Sequence, residues 1–166
     1  MEVVVIGGTA LLLAGLTAKD HTTKDVDIVA LGVPGKLTTA EPLPKALVDA
    51  ADAVGKIYDL RTDWLNAGPT RQLEEGLPPG FAENMTTYDF GGLVVHVPTR
   101  QALIDLKVHA AIDSSISNKH AEDLAGIPDI QTDEVMIGGE WATSLKGRRT
   151  PKQRLADLIE ELSKRQ

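Results

Sequence analysis

Residues 2–28 constrain the fold more tightly than any other stretch. Glu2 to Ile6 is a short β-branched run that stops at Gly7-Gly8, and Thr9 then opens Ala10-Leu11-Leu12-Leu13-Ala14. The first piece reads as a buried strand ending in a tight turn, the second as a helix of strong helix formers ending near Gly15. Lys19 to Lys24 is polar loop. Asp25-Val26-Asp27-Ile28-Val29-Ala30 alternates polar and apolar residues, the mark of a strand with one polar face. Two strands joined through a Gly-Gly turn and a short apolar helix demand a sheet with at least one helix laid on it.

The rest of the chain extends this plan. Gly32 to Pro44, rich in glycine and proline, reads as a connection, and Leu43 to Val54 has helical spacing. Lys56 to Leu60 is expected as a third strand. Residues 61–84 are mixed, with turns at Gly68-Pro69 and Pro78-Pro79-Gly80. Thr86 to Phe90 and Leu93 to Val97 read as a hairpin across Gly91-Gly92. Helices then follow: one capped by Thr99 and running to about Ile112, a short one from Ser117 to Leu124, and one over Thr132 to Leu145 that Gly138-Gly139 weakens. The last opens at Thr150-Pro151 and carries Leu155, Leu158, Ile159 and Leu162 on one face. Strands first and helices after predict an α+β fold, a mixed β-sheet flanked by helices with a helical C-terminal part. The boundary falls at 98/99, with 1–98 and 99–166 in one structural unit.

Composition narrows the function. With 166 residues and 42% hydrophobic side chains the chain can bury a core, and with no cysteine it has neither disulfide nor thiolate chemistry nor Cys-ligated zinc. That absence fits a reducing, cytoplasmic setting. No apolar run approaches the roughly 20 residues of a membrane span, so no membrane partner is expected. Only 4% aromatic residues leave little for stacking single-stranded bases. The net charge of −7 is uneven: residues 146–166 hold seven basic and three acidic side chains, so the body is acidic and the tail basic. Such a tail is solvated surface unless a polyanion meets it.

Chemistry concentrates in the first segment. Carboxylates two residues apart on a strand share a face, roughly 6.5–7 Å apart along the backbone. Asp25 and Asp27 would converge on one hard cation, for which oxygen-only ligands favour Mg²⁺ or Mn²⁺. A Gly7-Gly8 turn admits a phosphate close to the backbone, N–H groups at the helix start donate to it, and Thr9 adds a hydroxyl. Each piece alone is commonplace. Their order and spacing describe an NTP–Mg²⁺ site.

This combination resembles the nucleotidyltransferase superfamily. Val5-Ile-Gly-Gly-Thr-Ala-Leu-Leu-Leu-Ala-Gly15 followed by Thr23-Lys-Asp-Val-Asp-Ile28 is close to the version in AbiEii/MenT-like toxins and related uncharacterised bacterial nucleotidyltransferases. Leu103-Ile-Asp-Leu-Lys107-Val-His-Ala110 and Lys119-His120-Ala-Glu-Asp123-Leu124 are similar to a second pair of motifs in those families. The resemblance covers roughly residues 3–125, the middle loosely. It implies that Lys107, a lysine within an apolar stripe, reaches a phosphate or carboxylate, and that Asp123 anchors it or joins the active site. Taken alone, Lys107 reads as snorkelling to water and Asp123 as a surface partner of Lys119. It also implies a third carboxylate on a neighbouring strand, for which Asp59 is the candidate and Asp63 and Asp89 the alternatives. His96 reads as structural, and Trp64 and Trp141 as packing residues. The chain departs from the pattern at Asp113 and the serines 114, 115 and 117, where relatives often have arginine, and at His120, which replaces an acid. Before Asp25 it offers Lys19, His21 and Lys24 instead of an arginine, and Lys24 is assigned to the nucleotide. The first strand also begins at residue 2, without the helix that usually precedes it.

The implied reaction moves a nucleoside monophosphate from an NTP to an acceptor hydroxyl, releasing pyrophosphate. By resemblance the acceptor is tRNA or protein and the chain a toxin with a cognate antitoxin, the tail from Lys146 to Arg154 meeting RNA. Two alternatives stay open: a non-catalytic nucleotide- or partner-binding protein of the same fold, acting as regulator or antitoxin, and an aminoglycoside-type transferase in which residues 61–90 line a small-molecule pocket.

Overall fold

The computed structural model describes residues 1–17, 22–113, 119–145 and 152–164. Strand β1 (Glu2–Ile6) occupies the middle of a mixed sheet, antiparallel to β2 (Val26–Val33) and parallel to β6 (Val94–Val97). Val3 to Ile6 are all buried, which explains why β1 reads as a continuous apolar run rather than an alternating one. Strand β3 (Lys36–Thr39) borders β2, and β5 (Thr86–Asp89) borders β6, both antiparallel. The order is β3-β2-β1-β6-β5, and the two-residue β4 (Leu65–Asn66) pairs in parallel with the start of β2.

The short helix α1 (Gly7–Leu13) leaves β1 with no intervening residue. Helix α4 (Arg100–Asp113) starts at Thr99, whose Oγ1 accepts from the Ala102 N–H at 3.4 Å. Its residues 102–109 are buried without a break, so α4 is a central helix, enclosed on all sides instead of amphipathic. Helices α5 (Lys119–Ala125), α6 (Thr132–Ser144) and α7 (Lys152–Ser163) gather around it. Gly138, which seemed to weaken α6, allows the crossing: a Cβ there would meet the Asp105 Cα of α4 at 3.0 Å. Leu158 and Leu162 of α7 are buried. One contiguous apolar core takes residues from both the strand half and the helical half.

Two sequence expectations fail. Lys56 to Leu60 is not a strand, because α2 (Lys45–Tyr58) continues through it and closes on Asp59 in the left-handed conformation, φ 52°. The Trp64 indole N–H donates to the Ala51 carbonyl at 3.2 Å and holds the last turns, while Ile57 and Tyr58 face solvent with no sheet partner. Gly32 to Pro44 is not purely a connection: β2 runs to Val33, turns at Pro34-Gly35 and returns as β3. Proline and glycine are the residues a tight turn prefers. The predicted starts at Ser117 and Thr150-Pro151, the serines 114 and 115, Lys19, His21 and residues 146–149 of the basic segment lie outside the described residues. Among the described residues, no helix is long and apolar enough to cross a membrane.

Candidate functional site

The Gly-Gly turn and the paired aspartates come together as the strand register requires. Ile6 pairs with Asp27 across β1 and β2, so Gly7 emerges beside the Asp27 side chain. Gly7 has φ +73°, and a Cβ built on it would lie 2.5 Å from Asp27 Oδ2. Only glycine meets both demands, a left-handed backbone and a carboxylate against its Cα. Asp27 Oδ1 accepts from Asn66 Nδ2 at 3.0 Å, because β4 sets Asn66 opposite Asp27. Thr9 is tied in too: its hydroxyl donates to the Asp25 carbonyl at 2.7 Å. That bond braces α1 against the entry to β2. It also engages the one proton the hydroxyl can offer, so in this structure the Thr9 side chain acts as a brace.

Asp25 precedes β2 by one residue and is partly buried. Its Oδ1 is buried without a hydrogen bond, and its nearest cation is the Arg61 guanidinium at 3.3 Å, an ion contact without hydrogen-bond geometry. Arg61 bonds Asp63 instead, through Nε at 3.0 Å and Nη2 at 2.8 Å. The hydrogen bond to Asp63 and the charges of Asp25 and Asp63 raise the Arg61 pKa, and the Arg61 bond lowers that of Asp63. The loop before Asp25 offers no arginine, but Arg61 reaches Asp25 from the turn after α2.

A cavity of about 210 Å³ opens beside this turn, lined in part by Gly7, Asp27, Lys107 and His120. Lys107 is buried and its Nζ donates to buried Asp123 on α5 in a very short contact. The lysine is therefore clamped rather than snorkelling, and Asp123 is its partner instead of a surface mate of Lys119. His120 is the residue that sequence reasoning passed over. Its Nδ1 is buried with no hydrogen bond, and burial, then the Lys107 charge, lower its pKa against the opposing pull of Asp123 and Asp27. His109, on the same wall, packs against Trp141 with ring centroids 5.5 Å apart.

The remaining expected residues lie elsewhere. Asp59 caps α2 and lines a separate groove with Asp52, Lys56, Arg61 and Trp64, so the neighbouring-strand position on which it was chosen does not exist. Asp89 accepts from the Gly91 N–H at 2.8 Å and serves the β5–β6 turn. Lys24 is exposed, and Gly8 half-buried. His96 is structural, its ring held by Thr87 Oγ1 at 3.0 Å and Glu2 Oε2 at 2.7 Å. Among the described residues, no group of three or more histidines and acids is placed to hold a metal ion. Against known proteins, the chain matches no family model, no curated protein and no solved structure.

Proposed function

We propose that the chain is a Mg²⁺- or Mn²⁺-dependent nucleotidyltransferase that moves a nucleoside monophosphate from an NTP to an acceptor hydroxyl on tRNA or protein. One observation carries the reading. Among the described residues, the two buried side-chain polar atoms without a hydrogen bond are Asp25 Oδ1, two residues before Asp27 and 3.3 Å from Arg61, and His120 Nδ1, whose ring lines the cavity with Asp27 and Gly7. Buried polar groups are nearly always satisfied, and leaving one unpaired costs about 1–3 kcal/mol. Two such atoms, one beside Asp27 in the chain and one beside it in the cavity wall, fit a place that a ligand completes.

Two carboxylates suit the ion. Mg²⁺ is commonly held by one or two carboxylates, with substrate phosphates and water filling its shell. Asp25 and Asp27 would hold it, with Arg61 moving off Asp25. Once bound, the ion would neutralise charge on the transferring phosphate and the leaving pyrophosphate. Gly7 and Gly8 would let the phosphates approach the backbone, and Lys107, clamped by Asp123, would set a positive charge in the wall. The superfamily-like fold, the toxin role and the cognate antitoxin belong to the same reading.

A second reading has its own support: the position of Asp59 leaves the acceptor proton without the expected carboxylate, which favours a non-catalytic nucleotide- or partner-binding protein. The purified chain given each α-labelled NTP with Mg²⁺ and total tRNA or cell lysate separates the two. Transfer of label to a macromolecule is expected. NTP binding with no transfer to any acceptor establishes the binding module instead.

A further inference from the structure

Away from Gly7 and Asp27, where the phosphates and ion would sit, the cavity beside the turn is unsuited to phosphate. Its charged groups are the Asp27 carboxylate and the Lys107 ammonium, and Lys107 is already closed on Asp123. One cation thus stands against two carboxylates. Much of the wall is hydrocarbon, from Ile6, Leu103, Leu106 and Ala110. At about 210 Å³ the space falls below the roughly 300–1,000 Å³ of pockets that hold drug-sized ligands, so it admits a ring system and not a whole nucleotide.

Hydrogen-bonding capacity in its lining is unused. Gln72, also in the lining, donates through Nε2 to the Gly76 carbonyl at 2.7 Å, which leaves its Oε1 as an acceptor. The His120 ring makes no hydrogen bond to another described side chain, and its Nδ1 is orphaned. Apolar walls with an unsatisfied polar edge suit a flat heterocycle, which buries its faces and presents donors and acceptors at its rim.

We propose that this cavity receives the uncharged nucleobase end of the nucleotide and that His120 is the residue that reads it. The inference rests on the nucleotide reading above and divides the site: phosphates and ion at Asp25 and Asp27, base beside His120. His120, an apparent defect in the sequence pattern, becomes a specificity-determining residue.

The test follows the His120 imidazole nitrogens of the full chain by ¹H–¹⁵N NMR, titrating adenosine, guanosine, cytidine and uridine in turn, then inorganic tripolyphosphate with Mg²⁺. At least one nucleoside is expected to move the His120 signals saturably, and Mg²⁺-tripolyphosphate to move them less. His120→Phe should weaken that nucleoside about tenfold, the scale of one hydrogen bond, without altering tripolyphosphate binding. The more conservative His120→Asn should weaken it less. Four silent nucleosides overturn the proposal, as do signals that respond equally to tripolyphosphate or a nucleoside affinity unchanged in His120→Phe. Saturable nucleoside binding by a chain that transfers no label sinks the transferase reading alone. Label transfer with silent nucleosides sinks the base pocket alone.

Discussion

Asp123 in the helical half and Asp25 in the strand half are both acids with a basic neighbour, yet the fold treats them differently. Asp123 and Lys107 are each 8% exposed and closed on one another. Asp25 keeps an oxygen without a hydrogen bond, and its Arg61 neighbour lies on the surface, bonded to Asp63. A buried pair that loses one member leaves a charge in low dielectric, whereas an exposed pair is screened and contributes little. Lys107 and Asp123 are therefore committed to one another, whereas Asp25 keeps an oxygen outside any hydrogen bond.

Breaking the buried pair should produce the largest effect. Lys107→Ala should lose about 3–5 kcal/mol in denaturant unfolding, because Asp123 is left uncompensated. Lys107→Met with Asp123→Leu should recover most of it. If the single variant costs no more than an exposed pair, the contrast between the halves collapses. Next comes the turn: Gly7→Ala forces a Cβ onto a left-handed backbone and against Asp27, for about 1–3 kcal/mol by the same measurement. A smaller effect comes from α4. Burial raises the Asp105 pKa against the Gln101 hydrogen bond, so the folded state holds that proton to higher pH than the unfolded chain does. The group's stabilisation is full below the ordinary carboxylate pKa and is lost as pH rises through the folded value. Asp105→Asn should thus be more stable than the parent near neutrality, and thermal melts should show the gain shrinking towards about pH 3. The smallest change should come from Asp25→Ala, which removes a buried oxygen without a hydrogen bond at the loss of one contact with exposed Arg61, and should raise stability by about 1 kcal/mol.

Much of this was legible in the sequence. The run at Val3 to Ile6, the Gly-Gly turn, the alternation through Ala30 and the hairpin at Gly91-Gly92 are local patterns, and β1, α1, β2, β5 and β6 follow them. Lys107 stood out because a lysine in an apolar stripe needs a partner. What stayed hidden was non-local or ambiguous. Lys56 to Leu60 has strand-like composition, yet Lys56 to Tyr58 complete α2 and Asp59 closes it. Asn66 reaches Asp27 through a two-residue strand too short to leave a pattern. Arg61 and His120 arrive at the site from loop and helix positions that no spacing rule connects to Asp25 and Asp27. Pro34-Gly35 was legible as a turn, but the β3 run behind it, Lys-Leu-Thr-Thr, buries too little to announce itself.

The central claim is that Asp25 and Asp27 hold a nucleotide through a divalent ion. The most direct measurement compares label transfer from an α-labelled NTP, with and without Mg²⁺, by the parent chain and by Asp25→Asn/Asp27→Asn, with circular dichroism establishing that both are folded. The account predicts Mg²⁺-dependent transfer by the parent and a loss of at least about a hundredfold in the folded double variant. Equal transfer by the two proteins, or transfer indifferent to Mg²⁺, would contradict it.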